Sequence, residues 1–166
     1  MTFLDLETTD KNPNTAEPLT IYLRTRNLND FSIIDETYFT FKPENYLHES
    51  FAIHKITEHD SSLFDDKWTS FRKLLAYIGK YEDGLFCCHA NHLVFGMFGY
   101  FDEQIIRQIC FARTVEFQDK TYWWYLQKKL RWISTHTIVK RSEKFENYRL
   151  DTIAGNLGIK FSHHDC

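Results

Sequence analysis

The stretch that most narrows what this chain can fold into is Leu85-Phe86-Cys87-Cys88-His89. It is short and almost wholly apolar, as a strand buried on both faces is. A strand of that kind needs cover on both sides of its sheet. The segments around it fit the demand. Leu19-Thr20-Ile21-Tyr22-Leu23 alternates, and Phe31-Ser32-Ile33-Ile34 opens a run that continues through Tyr38 to Phe41. With Phe3-Leu4 at the start, these make three strands in an antiparallel meander, stopped by Lys42-Pro43-Glu44-Asn45. Phe64, Trp68, Phe71, Leu74, Leu75 and Ile78 then recur at helical spacing, with Ser61 or Ser62 as a possible cap. The pattern predicts further helices over about 94–109, 122–132 and 147–157, the last ended by Gly158. The expected fold class is α/β, a mixed sheet of about five strands flanked by helices, in one domain over residues 1–166.

The chemistry concentrates at the first strand, Thr2-Phe3-Leu4-Asp5-Leu6-Glu7-Thr8-Thr9. Alternation puts Asp5 and Glu7 on one face. Two acids so close are costly to ionise together unless a cation sits between them. Hard divalent ions such as Mg²⁺ or Mn²⁺ prefer carboxylate oxygens. Thr8 and Thr9 add hydroxyls and backbone N–H groups that could hold a phosphate. The plainer alternative is a solvated strand edge. At the far end, His163-His164-Asp165 supplies a residue type suited to taking a proton from water, or is a polar tail.

Composition limits the partners. The formal net charge is −3, so no bulk basic face for coating nucleic acid is visible. A metal-filled acidic pocket still permits a nucleic-acid enzyme. No apolar run approaches ~20 residues, so no membrane span is expected. Cys87, Cys88, Cys110 and Cys166 form no CxxC motif, which suits a reducing, cytoplasmic setting without a disulfide framework. Trp123, Trp124 and Tyr125 read mainly as core, with base stacking as the alternative. Lys128, Lys129 and Arg131, with Lys140, Arg141 and Lys144, form the one cationic region, read as a solvated helix face or a phosphate contact.

Phe3-Leu4-Asp5-Leu6-Glu7-Thr8-Thr9 resembles the first motif of the DEDD superfamily of 3′–5′ exonucleases, of the DEDDh, proofreading-subunit type. Other segments resemble later family features in the family's order. Ile53-His54-Lys55-Ile56-Thr57 resembles I-H-G-I-T. The run from Leu85 through His89, Asn91 and Phe95 to Gly96 resembles a strand followed by H-N-x-x-F-D. Tyr148 to Ile159 resembles the helix before the third motif, and Phe161 to Cys166 its start.

The resemblance implies a ribonuclease-H-like fold and a metal-dependent 3′–5′ exonuclease acting on single-stranded DNA or RNA. It implies a two-metal site with Mg or Mn, Asp5 and Glu7 as ligands and His164 as general base. Leu6, Thr8, Thr9, His54 and Asn91 would meet the substrate. Two departures stand out. Gly96 occupies the place of the second-motif acid, and the final acid would fall three residues past Cys166. Phe101-Asp102 restores a Phe-Asp pair, but too far along the helix expected from Val94; His92 is the other candidate substitute. A missing closing helix implies an apolar patch on the sheet, covered in a homodimer or by a polymerase partner. The alternative function is a catalytically inactive relative that binds nucleic acid or a protein.

Overall fold

The computed structural model describes residues 1–88, 93–94, 97–98, 101–111, 116–142 and 144–160. Its centre is a five-stranded sheet whose strands lie in the order Ile33–Thr40, Pro18–Arg26, Thr2–Thr8, Leu85–Cys88, Arg131–Ser134. β1 (Thr2–Thr8), β2 (Pro18–Arg26) and β3 (Ile33–Thr40) form the antiparallel meander, and β4 (Leu85–Cys88) and β7 (Arg131–Ser134) continue it in parallel. The expected mixed sheet flanked by helices is therefore present.

Alternation decides which side chains face inward. Leu4 on β1 and Ile21 and Leu23 on β2 are buried on one face, with Phe41 just beyond β3. Against them pack Phe71, Leu74, Leu75 and Ile78 of α3 (Lys67–Lys80), Ile105, Ile106 and Ile109 of α4 (Phe101–Phe111), and Trp123 and Leu126 of α5 (Phe117–Lys129). A buried hydroxyl chain, Thr2 Oγ1 to Thr25 Oγ1 at 2.8 Å and on to Tyr77 OH at 3.0 Å, ties β1 and β2 to α3. The opposite face carries Phe3, Tyr22, Arg24 and Cys87. With Thr135 of α6 (Thr135–Ser142) and Leu150 of α7 (Leu150–Asn156) they line a groove of about 390 Å³.

Several boundaries differ from the sequence reading, each for a local reason. Ser61 and Ser62 do not cap the long helix; they lie inside α2 (Glu58–Ser62), which follows the one-turn α1 (Phe51–His54). Thr57 and Asp60 close a reciprocal capping box on α2. Asp66 caps α3, its carboxylate accepting from the N–H groups of Trp68 and Thr69 at 3.1 and 3.0 Å. The continuous helix expected over 94–109 does not form. A two-strand ladder of β5 (Leu93–Val94) with β6 (Met97–Phe98) comes first, and α4 begins only at Phe101. The helix expected over 122–132 is α5, which starts earlier, at Phe117, and stops at Lys129 so that Arg131–Ser134 can pair with β4. Among the described residues no helix is long and apolar enough to cross a membrane.

Candidate metal and nucleotide site

Among the described residues β1 and β4 pair through Thr2↔Phe86 and Phe3↔Cys87. Asp5 and Glu7 lie further along β1, towards its carboxyl end. On the other side β1 keeps pairing with β2, Asp5 opposite Tyr22 and Glu7 opposite Thr20, until a register shift between Glu7 and Thr8. An irregularity of this kind re-aims a strand end. Asp5 is exposed and Glu7 half-buried, and Asp5 also lines the groove on the second sheet face.

The side chain that completes this locale is Asp102. It is the second residue of α4, and α4 packs against β1. Phe101 and Leu6 rest on the same core. Asp102 is only 8% exposed. Its carboxyl is pushed up to about 8, first by burial and then by the charges of Asp5 and Glu7. Glu7 is pushed up to about 7, again by burial first and Asp5 second. Asp5 thus makes Glu7 harder to ionise, and Asp5 and Glu7 together do the same to Asp102. The positive end of α4 favours a carboxylate in its first turn, but that term is smaller than the cost of burying the charge.

This corrects the sequence reading, which set Asp102 too far along a helix. With the β5–β6 ladder inserted, Asp102 moves from mid-helix to the first turn, within electrostatic reach of Asp5 and Glu7. The sequence held the signal: Gly96 and Gly99 interrupt the apolar run, and Asp102-Glu103 is the acidic pair expected at a helix start. Among the described residues no group of three His, Cys, Asp or Glu side chains is placed to hold a metal ion. The donor set nonetheless suits a hard divalent cation. Glu7 and Asp102 both resist ionisation, and a bound cation would relieve that electrostatic cost.

The remaining site residues have local roles. Thr8 Oγ1 donates to the Asp10 carbonyl at 2.6 Å. Thr9 is buried, and its hydroxyl accepts from the Glu17 N–H at 3.0 Å, fastening the end of β1 to the start of β2. Leu6 points into the core and leaves only its backbone at the strand end. His54 is buried with both ring nitrogens engaged: Nδ1 accepts from the Ile56 N–H at 2.9 Å, and Nε2 meets Ser50 Oγ at 2.8 Å. Because Nδ1 accepts, the proton sits on Nε2 of a neutral ring, and burial lowers the affinity of that ring for a second proton. Lys55, where the resembling family has Gly, adopts the left-handed conformation with φ of 58°. Asn91, His92, Gly96, His164 and Cys166 lie outside the described residues.

No family model matches this sequence, and no curated protein matches it. Solved structures do match in fold. A complex of E. coli exonuclease I with a dT13 oligonucleotide superposes with a TM-score of 0.75 at 15% identity, over 98% of this chain and 36% of that one. A product-bound exonuclease I gives 0.75 at 17% identity, over 97% of this chain and 39% of that one. A zinc-bound complex of E. coli ExoI with single-stranded DNA gives 0.70 at 16%, over 98% and 36%. The architecture is thus the ribonuclease-H-like α/β fold found in exonuclease I. The chain spans little more than a third of the length of the exonuclease I chains it matches. At such identity the likeness is one of fold, and it does not extend to the proofreading-subunit subtype.

Proposed function

We propose that this chain is a metal-dependent nuclease that shortens single-stranded nucleic acid from its 3′ end. The observation that carries the proposal is Asp102, buried at the start of α4 and electrostatically coupled to both Asp5 and Glu7. A carboxyl so placed has little structural merit, since an apolar or amide side chain would pack there without charge repulsion. It has chemical merit if a divalent ion binds. Asp5, Glu7 and Asp102 would hold Mg or Mn, which when bound supplies a polarised phosphoryl group and an activated water.

The chain's own groups divide the remaining work. The irregular end of β1 presents backbone at Leu6 and Thr8 to the terminal nucleotide. Thr9, pinned to Glu17, keeps that backbone in register. His164 is proposed as the group that takes the proton from the attacking water, with Asn91 near the substrate. His54 acts indirectly, by locking the turn that leads into the Thr57 cap.

The second reading is an inactive relative that binds a strand or a protein through the same cleft. It is favoured because no group of three His, Cys, Asp or Glu side chains among the described residues is placed to hold a metal ion. A nuclease assay separates the two. A 5′-labelled single-stranded DNA and its RNA counterpart are incubated with Mg²⁺, Mn²⁺ or EDTA. Hydrolysis predicts a metal-dependent ladder shortening from the 3′ end. Asp5→Ala and Asp102→Asn should each lower its rate by ~10²–10³ or more, the usual scale for losing one group that stabilises transition-state charge. An intact labelled strand in every metal would sink the hydrolytic reading.

A further inference from the structure

The helix α5 has an unusual outward face. Trp123 and Leu126 are fully buried, so the core claims one side of the helix. The other side remains rich in rings: Phe117 is 82% exposed, Trp124 51% and Tyr125 45%. Phe117, Trp124 and Lys128 follow the spacing that keeps residues on one helical stripe, over about 16 Å of helix. Exposed Arg131 continues the cationic end where β7 begins.

The nearby acids are engaged locally: Glu116 and Asp119 share the one guanidinium of Arg72, Glu82 pairs with Lys129 at 2.7 Å, and the Asp83 carbonyl accepts from Arg131. Lys128 is exposed and has no ion pair among the described residues. The stripe therefore offers the exposed rings of Phe117 and Trp124 with the Lys128 ammonium beside them.

Topology links it to the carboxylates. β7 runs parallel to β4 and β1, and α5 leads into β7 after one residue. The helix must therefore run against the strands, with Phe117 at the sheet end that carries Glu7 and Lys128 towards the opposite end. A chain entering the site could continue down this face.

We propose that the outward face of α5 is a second binding surface for single-stranded nucleic acid, holding the strand upstream of the end that meets Asp5, Glu7 and Asp102. This rests on the nuclease reading above for its choice of ligand. Bases stack on Trp124, beside the Tyr125 ring that already lies against Tyr122 and under the Lys129 ammonium, while Lys128 and Arg131 meet phosphates. Aromatic rings interleaved with cations suit a strand whose bases are unpaired, because every base has a face to stack and every linkage an anion. A duplex offers no such faces.

The test measures binding without turnover. Fluorescence anisotropy in EDTA compares oligo-dT of about 20 residues with oligo-dT of about four, within the range of lengths that single-strand sites occupy. The Trp124→Ala/Lys128→Ala variant should bind the long strand ~10- to 100-fold more weakly, the fold-change that losing one stacked base brings. It should bind the short strand like wild type. Lys128→Glu alone should flatten the salt dependence of long-strand binding. Quenching of tryptophan fluorescence by the long strand should be lost in Trp124→Phe. Melting temperatures within a degree or so of wild type confirm that the folds compare. If the wild type cuts strands but the double variant binds the long strand as well as wild type does, the proposal is overturned, and the face is left to a protein partner. If the wild type cuts nothing yet binds the long strand through Trp124, the proposal stands and the hydrolytic reading falls.

Discussion

Replacing Asp102 with asparagine should make the metal-free protein more stable at alkaline pH and blind to divalent cations. Asparagine keeps the shape of the buried side chain and removes its ionisation. In the wild type the carboxyl rises from 3.8 to about 8 on folding, through burial and the charges of Asp5 and Glu7. The folded state therefore holds a proton that the unfolded chain has released between about pH 4 and 8. Stability must then fall as pH rises through that window, because the folded state binds more protons there. A rise of about four pH units at ~1.4 kcal/mol each gives ~6 kcal/mol as an upper bound. Relaxation and water entry at the first turn of α4 reduce this to on the order of 3 kcal/mol. For a chain of this size each kcal/mol moves the melting temperature by about 2–4 °C. Asp102→Asn should thus melt roughly 6–12 °C above wild type at pH 9 in EDTA, and within about 2 °C of it at pH 5. Adding Mn²⁺ at a hundred times its dissociation constant should return about 2.7 kcal/mol to the wild type and little to the variant. Scanning calorimetry at both pH values, with and without metal, measures all of this. An equal difference at pH 5 and pH 9, or a variant equally stabilised by metal, would refute the argument that Asp102 is a buried ligand.

The remaining expectations concern the scaffold. Trp123→Ala should cost about 3–5 kcal/mol in chemical denaturation, because Trp123 is fully buried, whereas Trp124→Ala should stay within about 0.5 kcal/mol. Asp66→Ala removes an acceptor of two helix N–H groups and should cost about 1 kcal/mol by the same assay. His54 is neutral and buried, with its proton affinity lowered, so its contribution is complete above about pH 6.5 and declines as pH falls. His54→Gln should flatten that acid limb of a stability–pH curve; an unchanged limb would show that another group governs it.

Features that depend on near neighbours were legible in the residues themselves. The pairing of Asp5 with Glu7 on one strand face follows from alternation alone. The burial of Phe86, Cys87 and Cys88 follows from a run with no polar residue to turn outward, and the stop at Gly158, with φ of 69°, from glycine's tolerance of the left-handed region. The meander and the α3 stripe were legible for the same reason: their periods are local and strong.

What the sequence left open depends on contacts between distant segments. Whether Asp102 belongs to the acid cluster turned on where α4 starts, and that start depends on a two-residue ladder, Leu93–Val94 with Met97–Phe98, too short to show a period. Which of Trp123, Trp124 and Tyr125 is core was undecidable from three consecutive rings; packing against α3 and α4 chose Trp123. Arg131–Ser134 became a strand because β4 offered it an edge, against a sequence that continues the helix before it. The sequence alone determined that two acids share the end of a central strand. Only tertiary structure could bring a third carboxyl to them from about a hundred residues away and raise its proton affinity, because burial and neighbouring charge belong to the assembled site.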